Sequence, residues 1–117
     1  MKKDPAVFLE HILECIDLIE QYTKGRTKEE FFASKSFQDA VIRRIEIIGE
    51  AVKNIPKDIR KTYLQVPWKQ IAAMRDIISH EYWGIDLKLT WKVATERVLT
   101  LRDDILKIKD ALGKTLF

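Results

Sequence analysis

Apolar residues recur every three or four positions along most of the chain, which is the spacing of a helix that buries one face. A first helix is predicted from Asp4-Pro5 to about Lys24, because Asp4 can cap it and proline is tolerated at the first helical position. Gly25 is expected to end this helix. Its apolar stripe consists of Phe8, Ile12, Cys15, Ile16, Ile19 and Tyr22.

Two further helix starts are predicted in the next stretch. Thr27 followed by Glu30 has the spacing of a capping box and predicts a short helix. Ser36 is expected to cap a longer third helix, since serine is a preferred capping residue. The apolar face of that third helix consists of Phe37, Val41, Ile45, Ile48, Val52 and Ile55.

The second half of the chain continues the helical pattern. A short basic helix is predicted after Pro56, a further helix begins at Pro67-Trp68, and Asp86 caps a long last helix. The seam of this last helix alternates steps of four and three, as in a helix bundle: Leu87, Trp91, Ala94, Val98, Leu101, Ile105, Ile108 and Leu112. Because no segment shows a period of two, the prediction is an all-α bundle of four main helices plus short helical pieces, forming a single domain over residues 1–117.

Composition narrows the function classes. The net charge of +3 permits an RNA or acidic partner without requiring one. The single cysteine, Cys15, fits a cytoplasmic protein without an internal disulfide and is expected to be a buried apolar residue. No apolar run approaches the roughly 18 residues of a membrane span, so no membrane association is expected. The only histidines, His11 and His80, belong to no metal-binding pattern, and no glycine-rich nucleotide loop occurs. We therefore predict neither a metal nor a cofactor.

Positive charge is concentrated in one part of the sequence. The stretch 53–69 contains five cations opposed only by Asp58: Lys53, Lys57, Arg60, Lys61 and Lys69. Two interpretations remain open, a solvated corner between helices or a surface that attracts phosphate groups.

The residues best suited to chemistry follow directly. Arg75 is a permanent cation that fits a phosphate oxygen, and His80 can transfer a proton near neutral pH. Asp76, four residues before His80, lies on the same helical face and could hold the imidazole in one tautomer. Tyr82 offers a phenol for binding or modification. The predicted catalytic pair is Arg75 and His80, with Asp76 in support.

An ideal helix separates this pair. Five residues place Arg75 and His80 about 140° apart around the helix axis. Either the helix ends near His80 and brings it towards Arg75, or a second copy of the chain completes the site. Because the chain is small and the motif lies at a helix end, we favour a composite site in a homodimer.

The chain as a whole resembles the HepT-like toxins of the HEPN superfamily, which are small all-α ribonucleases of prokaryotes. Residues 42–51 resemble the third-helix signature of that family, and residues 67–76 resemble its approach to the motif. The arginine-x4-histidine-x-tyrosine motif is matched by Arg75, His80 and Tyr82, and residues 83–86 resemble the turn that follows.

The resemblance implies a metal-independent endoribonuclease that acts on RNA as a homodimer, with Arg75 and His80 in the catalytic roles. It also implies a toxin whose antitoxin is an MNT-type nucleotidyltransferase that transfers AMP to Tyr82. Two other functions remain open from the residues alone. One is a catalytically silent module that binds RNA or a nucleotide or docks the nucleotidyltransferase, and the other is a purely structural helical dimer.

Overall fold

The computed structural model describes residues 4–79 and 86–115, with the backbone alone at 75–79 and 114–115. The helices are α1 (Pro5–Thr23), α2 (Lys28–Ala33), α3 (Lys35–Lys53), α4 (Lys57–Thr62), α5 (Trp68–Ser79), α6 (Leu87–Lys92) and α7 (Val98–Thr115), and a π-helical turn (Val93–Arg97) joins the last two. The prediction of an all-α bundle is confirmed. Its four main helices are α1, α3, α5 and the continuous segment from α6 to α7.

Side-chain caps set most of the helix starts. Asp4 accepts a hydrogen bond from the Ala6 amide at 2.9 Å, and Asp86 accepts one from the Leu89 amide at 3.0 Å. Thr27 and Glu30 form the predicted capping box through reciprocal bonds of 3.1 Å. These contacts satisfy amides that a helix start otherwise leaves without a partner.

The predicted cap of α3 was wrong by two residues. Ser34, rather than Ser36, has the extended backbone of a cap, and its hydroxyl accepts a hydrogen bond from the Phe37 amide at 3.2 Å. Ser36 already lies in the first helical turn. Both serines suit a cap. At the same junction, the side-chain amide of Gln38 donates to the carbonyl oxygens of Phe31 and Phe32 at the end of α2.

The core lies where α3 packs between α1 and α5, with α7 against the other side of α1. Every predicted core position of α3 is buried, as are the central positions of the α1 stripe and of the last helix. Positions near the helix ends are only partly buried: Phe8, Tyr22, Leu87, Trp91 and Leu112. Cys15 is buried as predicted, and burial raises the pKa of its thiol.

An aromatic cluster fixes the short α2 against the bundle. Phe31 is fully buried, and its ring centre lies 5.1 Å from that of Phe37 in an edge-on arrangement and 5.3 Å from that of Trp91. Aromatic pairs of this geometry contribute beyond their buried area. The cluster therefore links α2, α3 and α6.

The π-helical turn is a feature that the sequence did not predict. Its wider turn places both Val93 and Ala94 in the core, whereas the sequence seam assigned only Ala94. Such turns are rare and often occur at functional sites. Here the turn faces α5 across a cleft described below.

Polar contacts between α1 and α7 lie at the protein surface. Arg102 donates to a carboxylate oxygen of Glu20 at 2.6 Å and of Asp17 at 2.9 Å, and these bonds, chiefly that to Glu20, raise the pKa of Arg102.

Among the helices of the described segments, none combines the length and apolar character needed to cross a bilayer.

Candidate functional site

Helix α5, which contains the first half of the predicted motif, starts from a fixed corner. The indole Nε1 of Trp68, its first residue, donates to the carbonyl oxygen of Tyr63 at 3.0 Å. Trp68 and the preceding Val66 are buried, and one turn later Ile71 is buried as well. The direction of α5 is therefore set by apolar packing against α3 and by this one hydrogen bond.

The predicted site residues lie at and beyond the far end of the described part of α5. Arg75 and Asp76 lie in the helix, but their side chains are outside the description. His80 and Tyr82 lie outside the described residues. Three statements consequently remain predictions: that Arg75 and His80 converge, that Asp76 supports His80, and that Tyr82 is accessible.

An apolar cleft runs along one side of α5. It has a volume of about 570 Å³ and separates α5 from the π-helical turn and α7. Met74, directly before Arg75, lines it together with Ile45 and Ile48 of α3. Arg97 is an exposed cation among the lining residues. Sequence reasoning missed Arg97, because only the π-helical turn places it beside this cleft.

A second, more open groove lies at the α4–α5 corner and has a volume of about 750 Å³. We call it the basic groove, because four of the five cations in the basic stretch line it: Lys57, Arg60, Lys61 and Lys69. The fifth, Lys53, is at the end of α3 and is not among the lining residues. The local excess of positive charge seen in the sequence is thus gathered on one surface.

The remaining lining of the basic groove is largely apolar. Val66 and Trp68 are buried, while Leu64 is 78% exposed, an unusual degree for a large apolar side chain. The Nε atom of Arg60 is buried and has no hydrogen-bond acceptor among the described residues. Folded proteins rarely leave a buried donor in this condition.

The described segments contain no cluster of three or more histidine, cysteine, aspartate or glutamate side chains arranged to hold a metal ion. The described lining residues of the apolar cleft and the basic groove beside α5 are cations, apolar side chains and a few neutral polar side chains. A site of this composition is suited to binding an anion such as a phosphate group.

Comparison with known proteins decides the family. The sequence family described as "Ribonuclease HepT-like" matches residues 12–108. The chain belongs to the HepT-like ribonuclease family. The match extends from α1 into α7 and includes the whole motif region, so the resemblance inferred from the sequence is confirmed.

Individual relatives agree with this assignment. A Thermococcus cleftensis protein named "Probable ribonuclease HepT" is 41% identical over 93% of this chain and 99% of its own length. A Methanocaldococcus jannaschii protein named as a putative RNase is 44% identical over 97% of this chain and 94% of its own length. No solved structure matches the HepT-like chain.

One relative is a longer protein. A second Methanocaldococcus jannaschii protein, named as a gamma-glutamylcyclotransferase and putative RNase, is 54% identical over 97% of this chain. The HepT-like chain spans about half (51%) of the length of that relative.

Proposed function

We propose that this HepT-like protein is a metal-independent endoribonuclease and the toxin of a toxin–antitoxin pair. The observation that carries the proposal is the Arg75-x4-His80-x-Tyr82 motif within the family match over residues 12–108. The position of Arg75 on α5, beyond a corner rich in positive charge, supports an anionic substrate. Relatives named as ribonucleases support RNA as that substrate.

RNA carries its own nucleophile, and this determines what the protein has to supply. In the proposed reaction the 2′-oxygen attacks the adjacent phosphorus, and the bond to the 5′-oxygen of the next nucleotide breaks. The products are a 2′,3′-cyclic phosphate and a free 5′-hydroxyl. DNA lacks the 2′-hydroxyl and should not be cleaved. No metal ion is needed to generate a nucleophile.

The side chains have distinct roles in this scheme. His80 takes part in proton transfer between the 2′-hydroxyl and the leaving 5′-oxygen, an effect typically worth about 10²–10⁴-fold in rate. Arg75 stabilises the negative charge that grows on the phosphoryl oxygens. Asp76 orients His80 and favours its protonated form.

Neutralisation by AMP transfer would act through the same cation, Arg75. The phenolic oxygen of Tyr82 would attack the α-phosphate of ATP, lose its proton and release pyrophosphate, with a nucleotidyltransferase as catalyst. The resulting adenylyl group adds a phosphate anion and a bulky base two residues from His80. It would compete with RNA for Arg75.

The test of cleavage uses purified protein and a labelled single-stranded RNA in the presence of EDTA. The wild type should cleave RNA but not the DNA of the same sequence, and its product should carry a cyclic phosphate. Arg75→Ala and His80→Ala should each abolish cleavage while changing the free energy of unfolding by less than about 1 kcal/mol.

Matched controls are available in the same chain. Arg43→Ala and His11→Ala replace an exposed arginine and the other histidine, and both should leave cleavage intact. Full cleavage by His80→Ala, or cleavage that requires an added divalent metal, would contradict the proposed mechanism. RNA binding without cleavage by the wild type would favour the alternative of a catalytically silent binding module.

A further inference from the structure

The basic groove carries an excess of positive charge. No carboxylate is among its described lining residues, and the exposed Asp58 of α4 is not one of them. None of the ion pairs between described residues involves Lys57, Lys61 or Lys69. Four cations therefore line one open groove that has no carboxylate among its described lining residues.

Arg60 adds a directional cation to this charge. Its Nε is buried without an acceptor in the described chain, as is the Nε of Arg44, so a ligand in the groove would contact Arg60 through the terminal part of its guanidinium group. Arginine presents its donors in a planar fork that matches the oxygens of a phosphate group, which lysine cannot do. A phosphate in the groove would meet one directional donor group and three flexible ammonium groups.

The apolar part of the groove restricts the kind of anion. Leu64 is 78% exposed and lines the same groove as the four cations, with Val66 and Trp68 packed beneath. Single-stranded nucleic acids are bound by positive grooves that follow the backbone, often with aromatic side chains on which bases stack. Leu64 is aliphatic and would offer apolar contact to a sugar or base without stacking. An inorganic anion would make no use of Leu64.

The basic groove is also close to the predicted catalytic residues along the chain. Lys69 and Arg75 are six residues apart on α5, which corresponds to about 9 Å along the helix axis and about 120° around it. A strand that contacts both residues therefore has to pass partly around the helix. A nucleic acid strand of a few nucleotides can extend over that distance. One strand could therefore contact the groove and reach Arg75 simultaneously.

We propose that the basic groove binds the sugar–phosphate backbone of the single-stranded RNA substrate to one side of the scissile bond. This inference rests on the proposed ribonuclease function and adds a positioning surface that lies outside the Arg75–His80 motif. Lys57, Arg60, Lys61 and Lys69 hold phosphates of the flanking nucleotides and take no part in proton transfer.

The decisive variant removes three charges at exposed positions, Lys57→Gln, Lys61→Gln and Lys69→Gln. The matched control removes three exposed lysines elsewhere and has the same net charge, Lys24→Gln, Lys28→Gln and Lys107→Gln. Binding is measured by fluorescence anisotropy with a labelled 2′-O-methyl oligoribonucleotide of about 12 nucleotides, which cannot be cleaved because its 2′-oxygens are blocked.

The groove variant should bind this probe about tenfold more weakly than the wild type. The slope of log K against log salt concentration should be smaller in magnitude by about 2, since each lost phosphate contact removes roughly 0.7. The control variant should bind like the wild type. In cleavage assays the groove variant should show a raised KM for the long RNA with kcat retained. A dinucleotide, too short to span the groove, should be cleaved equally well by both variants.

A single charge reversal gives an independent check of folding. Lys69→Glu places an acid in the first turn of α5, where it suits the helix dipole and should not reduce stability. It should nevertheless raise the KM for the long RNA. An unchanged KM in this variant would overturn the proposal.

The outcomes distinguish a failure of the groove proposal from a failure of the proposed function. A wild type that cleaves RNA, combined with a groove variant of unchanged KM and salt dependence, overturns the groove alone. Equal weakening in the control variant also overturns it, since general charge would then explain binding. A wild type without RNA cleavage contradicts the proposed function. A wild type that binds labelled poly-glutamate but not the RNA probe would assign the groove to an acidic protein and overturn the inference.

Discussion

The indole Nε1 of Trp68 donates a hydrogen bond to the carbonyl oxygen of Tyr63 across 3.0 Å. This contact joins the first residue of α5 to the residue that ends α4. It lies beneath the basic groove and at the start of the helix that carries Arg75. One buried tryptophan thus connects the placement of the positive surface with the placement of the motif.

Replacing this donor should weaken the corner. Trp68→Phe keeps an aromatic ring but removes the Nε1–H and part of the packed volume, and it leaves the Tyr63 carbonyl without this donor. We expect the free energy of unfolding to fall by about 1–3 kcal/mol, measured by urea denaturation. Wild-type stability in this variant would show that the hydrogen bond makes no net contribution.

Local signals explain which parts of the fold could be predicted. Caps such as Asp4 and Asp86 form hydrogen bonds to amides two or three residues away, so the sequence shows them directly. The regular spacing of apolar residues likewise shows which face of a helix is buried. Ser34 and Ser36 are equivalent by the capping criterion, and the local sequence does not show which of them caps α3. The π-helical turn, which buries Val93 beside Ala94, likewise depends on neighbouring helices rather than on the local sequence.

The candidate site was predictable to a different extent. The motif with Arg75 and His80 could be read from residue types and the family resemblance, but its convergence depends on tertiary geometry that helical spacing cannot supply. The sequence showed the excess of cations in the stretch 53–69, but it did not show the groove that they line. Arg60 and Lys69 line one groove with Leu64, and Lys53 does not. This grouping depends on the tertiary structure, which the distribution of charge along the sequence does not give.

The capping box of α2 should make stability depend on acid. The hydrogen bond from the Thr27 amide, followed by contacts with the Thr27 hydroxyl and Arg26, lowers the pKa of Glu30 from its usual value of 4.5. The folded protein therefore binds fewer protons at this position than the unfolded chain. The resulting stabilisation is present above pH 4.5 and is lost as the pH falls through the lowered pKa of the folded state.

Glu30→Gln tests this pH dependence. The amide oxygen can still accept the hydrogen bond from the Thr27 amide, but the side chain no longer titrates. The variant should be less stable than the wild type at neutral pH, and the difference should shrink below pH 4.5, measured by urea unfolding across that range. A difference that is constant with pH would show that ionised Glu30 has no part in the cap.

Homodimerisation can be tested through the predicted division of the site. Because Arg75 and His80 diverge on an ideal helix, we expect a homodimer whose two motifs face a shared groove. Mixing Arg75→Ala with His80→Ala subunits should restore part of the cleavage activity if residues of both chains act on one phosphate. Light scattering at micromolar concentration measures the assembly, and an active monomer would contradict the prediction.

Tyr82 provides the test of the proposed toxin–antitoxin switch. Its phenol is not needed for attack by the 2′-hydroxyl, so Tyr82→Phe should retain RNA cleavage. The same variant cannot accept AMP and should escape neutralisation by the cognate nucleotidyltransferase with ATP. Intact-mass spectrometry after co-expression should show one or more added adenylyl units on the wild type, accompanied by loss of cleavage.

The other two tyrosines serve as internal controls for this prediction. Tyr22 and Tyr63 are half-buried in the bundle, outside the motif, so Tyr22→Phe and Tyr63→Phe should still be modified and silenced. Peptide mapping assigns the modified residue directly. Modification at Tyr22 or Tyr63, or complete neutralisation of Tyr82→Phe, would place the switch elsewhere, because competition for Arg75 requires the adenylyl phosphate to lie beside the motif.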